Sequence, residues 1–170
     1  MKKCILTIFL STISFSQNIA NTDAVENILD NLHLYAAEAK AKKYMALFSK
    51  DAVFLGTDIN ERWTKSEFDE YASKRMATGK GWTYIMTERN VFFSDDGKTA
   101  WFDEILYSKS YGNFRGTGAL KIVDTEWKIT QYNLLLPIPN DLMMKYAKEI
   151  KAFYDQKWKI TYYEIFIFNS

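Results

Sequence analysis

The chain holds one cysteine, one histidine, two prolines and seven glycines in 170 residues, and its charges nearly cancel, with 22 Lys plus Arg against 21 Asp plus Glu. A single cysteine excludes an internal disulfide framework, and a single histidine beside it excludes a zinc site of thiolates or imidazoles built within the chain. A net charge of +1 offers no strongly basic surface, so nucleic acid is not an expected partner. Ser-His-Asp catalysis would have to use His33. Gly79-Lys80-Gly81 and Gly116-Thr117-Gly118 lack the Gly-Lys-Ser/Thr ending of a phosphate-cradling loop, and no metal or other cofactor is implied by any motif.

What the chain has in quantity is apolar and aromatic surface. At 48% hydrophobic and 16% aromatic residues, it can bury the core of one ordinary domain. The uncharged, largely apolar run from Cys4 to Phe15 follows Lys2 and Lys3 and falls short of the ~20 residues that span a bilayer. With Ser14 and Ser16 at the −3 and −1 positions before Gln17, residues 1–16 read as a signal peptide. The expectation is a periplasmic or secreted protein without a stable membrane anchor. Cys4 precedes the apolar run instead of following it, which argues against a lipoprotein.

Hydrophobic spacing then predicts the elements. Asp23 and Glu26 form a capping-box pattern ahead of Val25, Ile28, Leu29, Leu32, Ala36 and Ala39 at helical spacing. A short helical piece at Tyr44–Phe48 leads into a strand over Asp51–Leu55. Thr64 and Glu67 cap a third helix that closes at Gly79 and Gly81. Period-two alternation follows: a long strand from Trp82 through Phe93, a turn at Asp95-Asp96-Gly97-Lys98, and strands near Thr99–Tyr107, Phe114–Val123 and Trp127–Leu136. Pro137 and Pro139 end this meander, and Asn140 caps a last helix carrying Leu142, Tyr146, Ile150 and Phe153. The fold class is α+β, a curved antiparallel sheet covered by three N-terminal helices, with a C-terminal helix. Residues 17–154 form the domain and 155–170 an aromatic tail, which would add an edge strand or cover a subunit contact.

Phe48, Asp51-Ala52-Val53-Phe54, Trp101-Phe102-Asp103-Glu104, Trp127-Lys128-Ile129 and Gln131-Tyr132-Asn133-Leu134 stand in an order that resembles the SnoaL-like branch of the nuclear transport factor 2-like superfamily, from about Asp23 to Ile150. The resemblance implies a cone-shaped fold around a pocket, often in a homodimer. Its members include ketosteroid isomerases, polyketide cyclases, dehydratases, epoxide hydrolases and non-catalytic binding domains, so the fold leaves the reaction open. Carried over residue by residue, the isomerase base falls at Gly56, the enolate-binding tyrosine near Leu32 with Tyr35 one turn away, and the protonated acid near Gly118. None of these three positions holds the expected group, which disfavours steroid-type isomerisation; a two-residue slip would bring Asp58 to the base position.

Several residues could serve a pocket. Strict alternation from Trp127 puts Ile129, Gln131 and Asn133 on the covered face, where two amides would orient a ligand. Of the adjacent Asp103 and Glu104 only one can face inward, with Arg115 as its candidate partner if a bulge near Gly116 and Gly118 re-aims it. Asp58, Glu61, Arg62 and Trp63 precede the third helix, where Trp63 either closes over an apolar ligand or staples the helix start. The expected ligand pocket therefore combines Asp58, Trp63, Asp103, Glu104, Arg115, Gln131 and Asn133, and the expected partner is a small, partly apolar molecule. The leading expectation is binding without catalysis. The alternatives are an isomerase, dehydratase or cyclase using Asp58, Asp103 or Glu104 as base, and a dimeric interaction module.

Overall fold

A computed structural model describes residues 22–167, with side chains from 22 to 156. The expected signal peptide and cleavage site lie outside the described residues, as do the side chains of the aromatic tail. The chain divides into two compact units, one ending at Leu136 and the other starting at Pro137.

In the first unit, α1 spans residues 22–37 and buries Val25, Leu29, Leu32 and Ala36, a stripe at the predicted spacing. It is already helical at residue 22, so Asp23 lies inside the first turn and is not its cap. The short α2, Ala41–Ala46, buries Tyr44 and Met45 and leads into β1, Phe48–Leu55. Next come β2, Arg62–Thr64, and α3, Lys65–Met76. Thr64 caps α3 in the expected capping box: the Glu67 N–H donates to Thr64 Oγ1, and the Thr64 N–H donates to Glu67 Oε2 at 2.8 Å. The remaining strands are β3, Ile85–Phe93, β4, Thr99–Ser108, β5, Gly112–Val123, and β6, Glu126–Leu135.

Among the described residues six strands form one sheet in the order β2-β1-β6-β5-β4-β3. The predicted meander is its antiparallel half, β3 to β6. The other half was not legible in the alternation: β1 lies parallel to β6, and the three-residue β2 pairs antiparallel to β1.

Besides a break between β1 and β6, two register shifts set which side chains of β3 and β6 face the core. On β6, Ile129 pairs with Leu120 but Gln131 pairs with Ala119, so Thr130 is an extra residue. Its hydroxyl donates to the Ala119 carbonyl at 3.1 Å, occupying the acceptor beside the break. On β3, Met86 pairs with Leu106 and Glu88 with Ile105, so Thr87 is the extra residue, and its hydroxyl donates to the Ile105 carbonyl at 3.2 Å.

The second unit carries α4, Asn140–Ile167. The backbone stays helical through Ile167, which excludes the edge strand considered for the tail. No helix among the described residues is long and apolar enough to cross a membrane.

Candidate functional site: an aromatic cavity with one polar wall

A cavity of about 390 Å³ opens between the helices and the sheet of the first unit. One wall follows from α3 and the strand before it. Trp63 directly precedes the Thr64 cap and stacks on Phe68, four residues into the helix, with centroids 5.6 Å apart, which is the geometry of a hydrophobic staple. Trp63 also stacks on Tyr71 at 5.0 Å, and Phe68 stacks on Phe54 of β1 at 3.8 Å. Trp82, after the helix, lies 6.0 Å from Tyr71 and receives the Arg75 guanidinium over its face at 4.9 Å. These contacts join residues close in sequence. Of the two roles weighed for Trp63 the staple is the one seen, and the same ring lines the cavity.

Another part of the lining, from α1 and β6, carries the polar groups of His33 and Tyr132. Glu104 on β4 is buried, with its carboxylate fully enclosed. Its Oε1 accepts from the Tyr132 hydroxyl at 3.0 Å and lies 2.9 Å from His33 Nε2, while Oε2 accepts from Arg89 Nε at 3.0 Å. Arg89 Nη2 is also 3.0 Å from Oε2, close enough for ion pairing but off the hydrogen-bond direction. Arg89 Nη1 donates to Asp30 Oδ1 on α1 at 2.7 Å and to the Glu26 carbonyl at 3.4 Å. The Thr87 bulge sets Arg89 directly across from Glu104, and the Thr130 bulge turns Tyr132 inward toward it. Gly116, the cross-strand partner of Glu104 on β5, is needed for space: a Cβ there would stand 2.7 Å from the Tyr132 hydroxyl and 2.8 Å from Glu104 Oε1.

Burial raises the Glu104 pKa, but the hydrogen bond and charge of His33 and the charge of Arg89 outweigh it, so the carboxyl is held below its ordinary range. It is therefore an anion at neutral pH. Burial pushes the hydroxyls of Tyr44, Tyr84 and Tyr132 upward, and Glu104 adds to the effect at Tyr132. These three phenols stay protonated and offer donors, not bases. His33, Tyr44, Tyr84 and Tyr132 line the cavity together with Glu61 and Arg75.

The residues expected to form the pocket are only partly brought together. Trp63 lines the cavity, and Glu104 stands behind its wall with His33 and Tyr132 in front. Asp58, Asp103, Arg115, Gln131 and Asn133 are not among the cavity's lining residues. Gln131 is exposed and Asn133 lies on the same outer face, because the extra Thr130 reverses the alternation after Ile129 and puts Tyr132 and Leu134 inside. Trp127 and Ile129, ahead of the bulge, are buried. Asp103 shares the outer face and accepts from Asn90 Nδ2 at 3.3 Å. Arg115 is exposed, since β4 and β5 run in unbroken register past Gly116 and Gly118 and nothing re-aims it; the cation at Glu104 is Arg89 instead. Asp58 lies in the exposed turn before β2, where its carboxylate accepts from the backbone and side-chain amides of Asn60, both at 2.8 Å.

The isomerase base position, Gly56, does border the cavity, and the Glu61 carboxylate occupies the space a side chain at Gly56 would take. Sequence reasoning missed His33, Arg89 and Tyr132 as one cluster. The available signal was Gly116, an unusual residue in a long strand across from an acid. Among the described residues no group of His, Cys, Asp and Glu side chains converges to hold a metal ion.

The SnoaL-like domain family matches residues 25–139, more than half of the chain. No curated protein matches it. Solved structures share the fold: an NTF2-like protein of unknown function from Pseudomonas putida KT2440 superposes with TM-score 0.61 at 12% identity, covering 72% of this chain and 90% of that one. A proposed scytalone dehydratase from Novosphingobium aromaticivorans DSM 12444 gives 0.61 at 15%, covering 73% and 89%. A proposed dehydratase of the NTF2-like family from Streptomyces avermitilis gives 0.61 at 11%, covering 72% and 99%. At such identities the likeness is one of fold alone. Sheet order, covering helices, cavity and family match agree, and the chain belongs to the SnoaL-like domain family within the NTF2-like fold.

Proposed function

We propose that the domain binds one small, flat, partly apolar molecule. The observation that carries this reading is the cavity of about 390 Å³ itself, walled by aromatic rings with polar groups confined to a few points such as His33, Glu61 and Arg75. Its size and mixture suit orienting a compact ring system. Native mass spectrometry of protein purified from its source tests the reading. A retained small molecule that is lost in Ala36→Trp, where an indole fills the cavity, supports it. Protein that carries no such mass and binds no aromatic compound would refute it.

Two further proposals accompany the binding reading. The basic start, apolar core and small residues before Gln17 support export, and an intact mass beginning at Gln17 is the expected result. A mature protein retaining Met1 would overturn it. For a homodimer, the support is the outer sheet face, where Phe92 and Trp101 stack at 6.0 Å while both remain nearly half exposed. Sedimentation velocity should give a dimer that Trp101→Lys converts to a monomer; a monomeric wild type would exclude the dimer.

A further inference from the structure

His33 is the chain's one histidine, and it joins the cavity to the buried carboxylate. Glu104 has no access to a ligand, because its side chain is fully enclosed and both oxygens are engaged, Oε2 by Arg89 and Oε1 by Tyr132 and His33. His33 is different: its ring lines the cavity and its Nδ1 has no hydrogen-bond partner among the described residues. An acceptor oxygen 2.9 Å from Nε2 requires the proton on that nitrogen, which leaves Nδ1 as the site where a proton arrives.

We infer that the cavity takes an aromatic or enolic molecule with an acidic hydroxyl, and that His33, positioned by Glu104, accepts the hydroxyl proton on Nδ1. This inference rests on the binding reading above. In the step, the ligand O–H bond breaks with its electron pair left on oxygen, and the proton forms the Nδ1–H bond of an imidazolium. Glu104 balances the new charge through the Nε2–H hydrogen bond. The other groups around the pair do not compete for the proton: Arg89 on β3 is a cation occupied by Glu104 and Asp30, and Tyr132 on β6 donates to Glu104. Tyr44 and Tyr84, the neighbouring cavity phenols, are kept protonated by burial and can donate to the resulting oxyanion. The product is an electron-rich phenolate or enolate held among aromatic rings.

The test uses 4-nitrophenol, whose anion absorbs in the visible, and 4-nitroanisole, which has the same ring and no proton to give. Tryptophan quenching reads binding and absorbance reads ionisation. At a pH near the free phenol's own midpoint, the ratio of phenolate to phenol should be about tenfold higher in the bound compound than in water, and His33→Gln should abolish that excess in whatever 4-nitrophenol it still binds. With one histidine in the sequence, 15N spectra of the unaltered protein give a second readout that needs no variant. The free protein should show the Nε2–H tautomer, and 4-nitrophenol but not 4-nitroanisole should protonate Nδ1. Binding of both compounds without excess ionisation, or an excess that survives in His33→Gln, overturns the inference and leaves the binding reading intact. Failure to bind either compound overturns both.

Discussion

The two walls of the cavity are built on different physical terms. The aromatic wall of Trp63, Phe68, Tyr71 and Trp82 comes from one short stretch of chain, and its rings meet because a capped helix brings them to one face. The polar wall joins α1, β3, β4 and β6 through pairs separated by 71, 15 and 28 residues. Stacked rings keep apolar contact through small displacements. An enclosed carboxylate has no such latitude, because each lost partner leaves a buried charge unpaired. The cavity therefore has an adaptable side and a side whose geometry is enforced.

The sharpest way to break the polar wall is Glu104→Ala, which strands Arg89 and should cost ~3–5 kcal/mol in urea unfolding at neutral pH. Phe68→Ala on the other wall should cost a similar ~3–5 kcal/mol by opening a cavity in the core. Acid separates the two. Folding lowers the Glu104 pKa from 4.5, so its contribution is complete above that value and is lost as pH falls through the lowered one. Urea titrations repeated at about pH 3 should show the Glu104→Ala deficit shrinking while the Phe68→Ala deficit persists. Equal deficits at both pH values would mean that Glu104 does not stabilise the fold as an anion.

Smaller effects sharpen the account of the register. Thr130→Val removes the hydroxyl that bonds the Ala119 carbonyl and should cost ~1 kcal/mol, detectable as a shift in the unfolding midpoint. Gln131→Ala and Asn133→Leu should change stability by under about 0.5 kcal/mol and leave ligand affinity unaltered, since both face away from the cavity. A marked loss of binding in Asn133→Leu would return these amides to the inside and remove the Thr130 bulge from the account.

The same contrast explains what the sequence disclosed. The Thr64 capping box, the turn through Gly97 and the staple of Trp63 on Phe68 depend on residues within a few positions, where spacing carries the information. The order of the β3 to β6 meander was legible for the same reason. A bulge has no such signature: Thr87 and Thr130 look like ordinary strand residues, and one extra residue exchanges every later side chain between faces. That exchange moved Gln131 and Asn133 outward and Tyr132 inward. Arg89 was equally hidden, because its place across from Glu104 depends on the register of β3 on β4.

The crystal structure of the protein grown with 4-nitroanisole tests the central claim, an aromatic ligand held between an adaptable and an enforced wall. The account predicts the nitroanisole ring among Trp63, Tyr71 and Trp82 with one end facing His33, small shifts of those three rings, and no change in the Glu104, His33, Arg89 and Tyr132 contacts. A ring bound elsewhere, or an empty cavity, would contradict it.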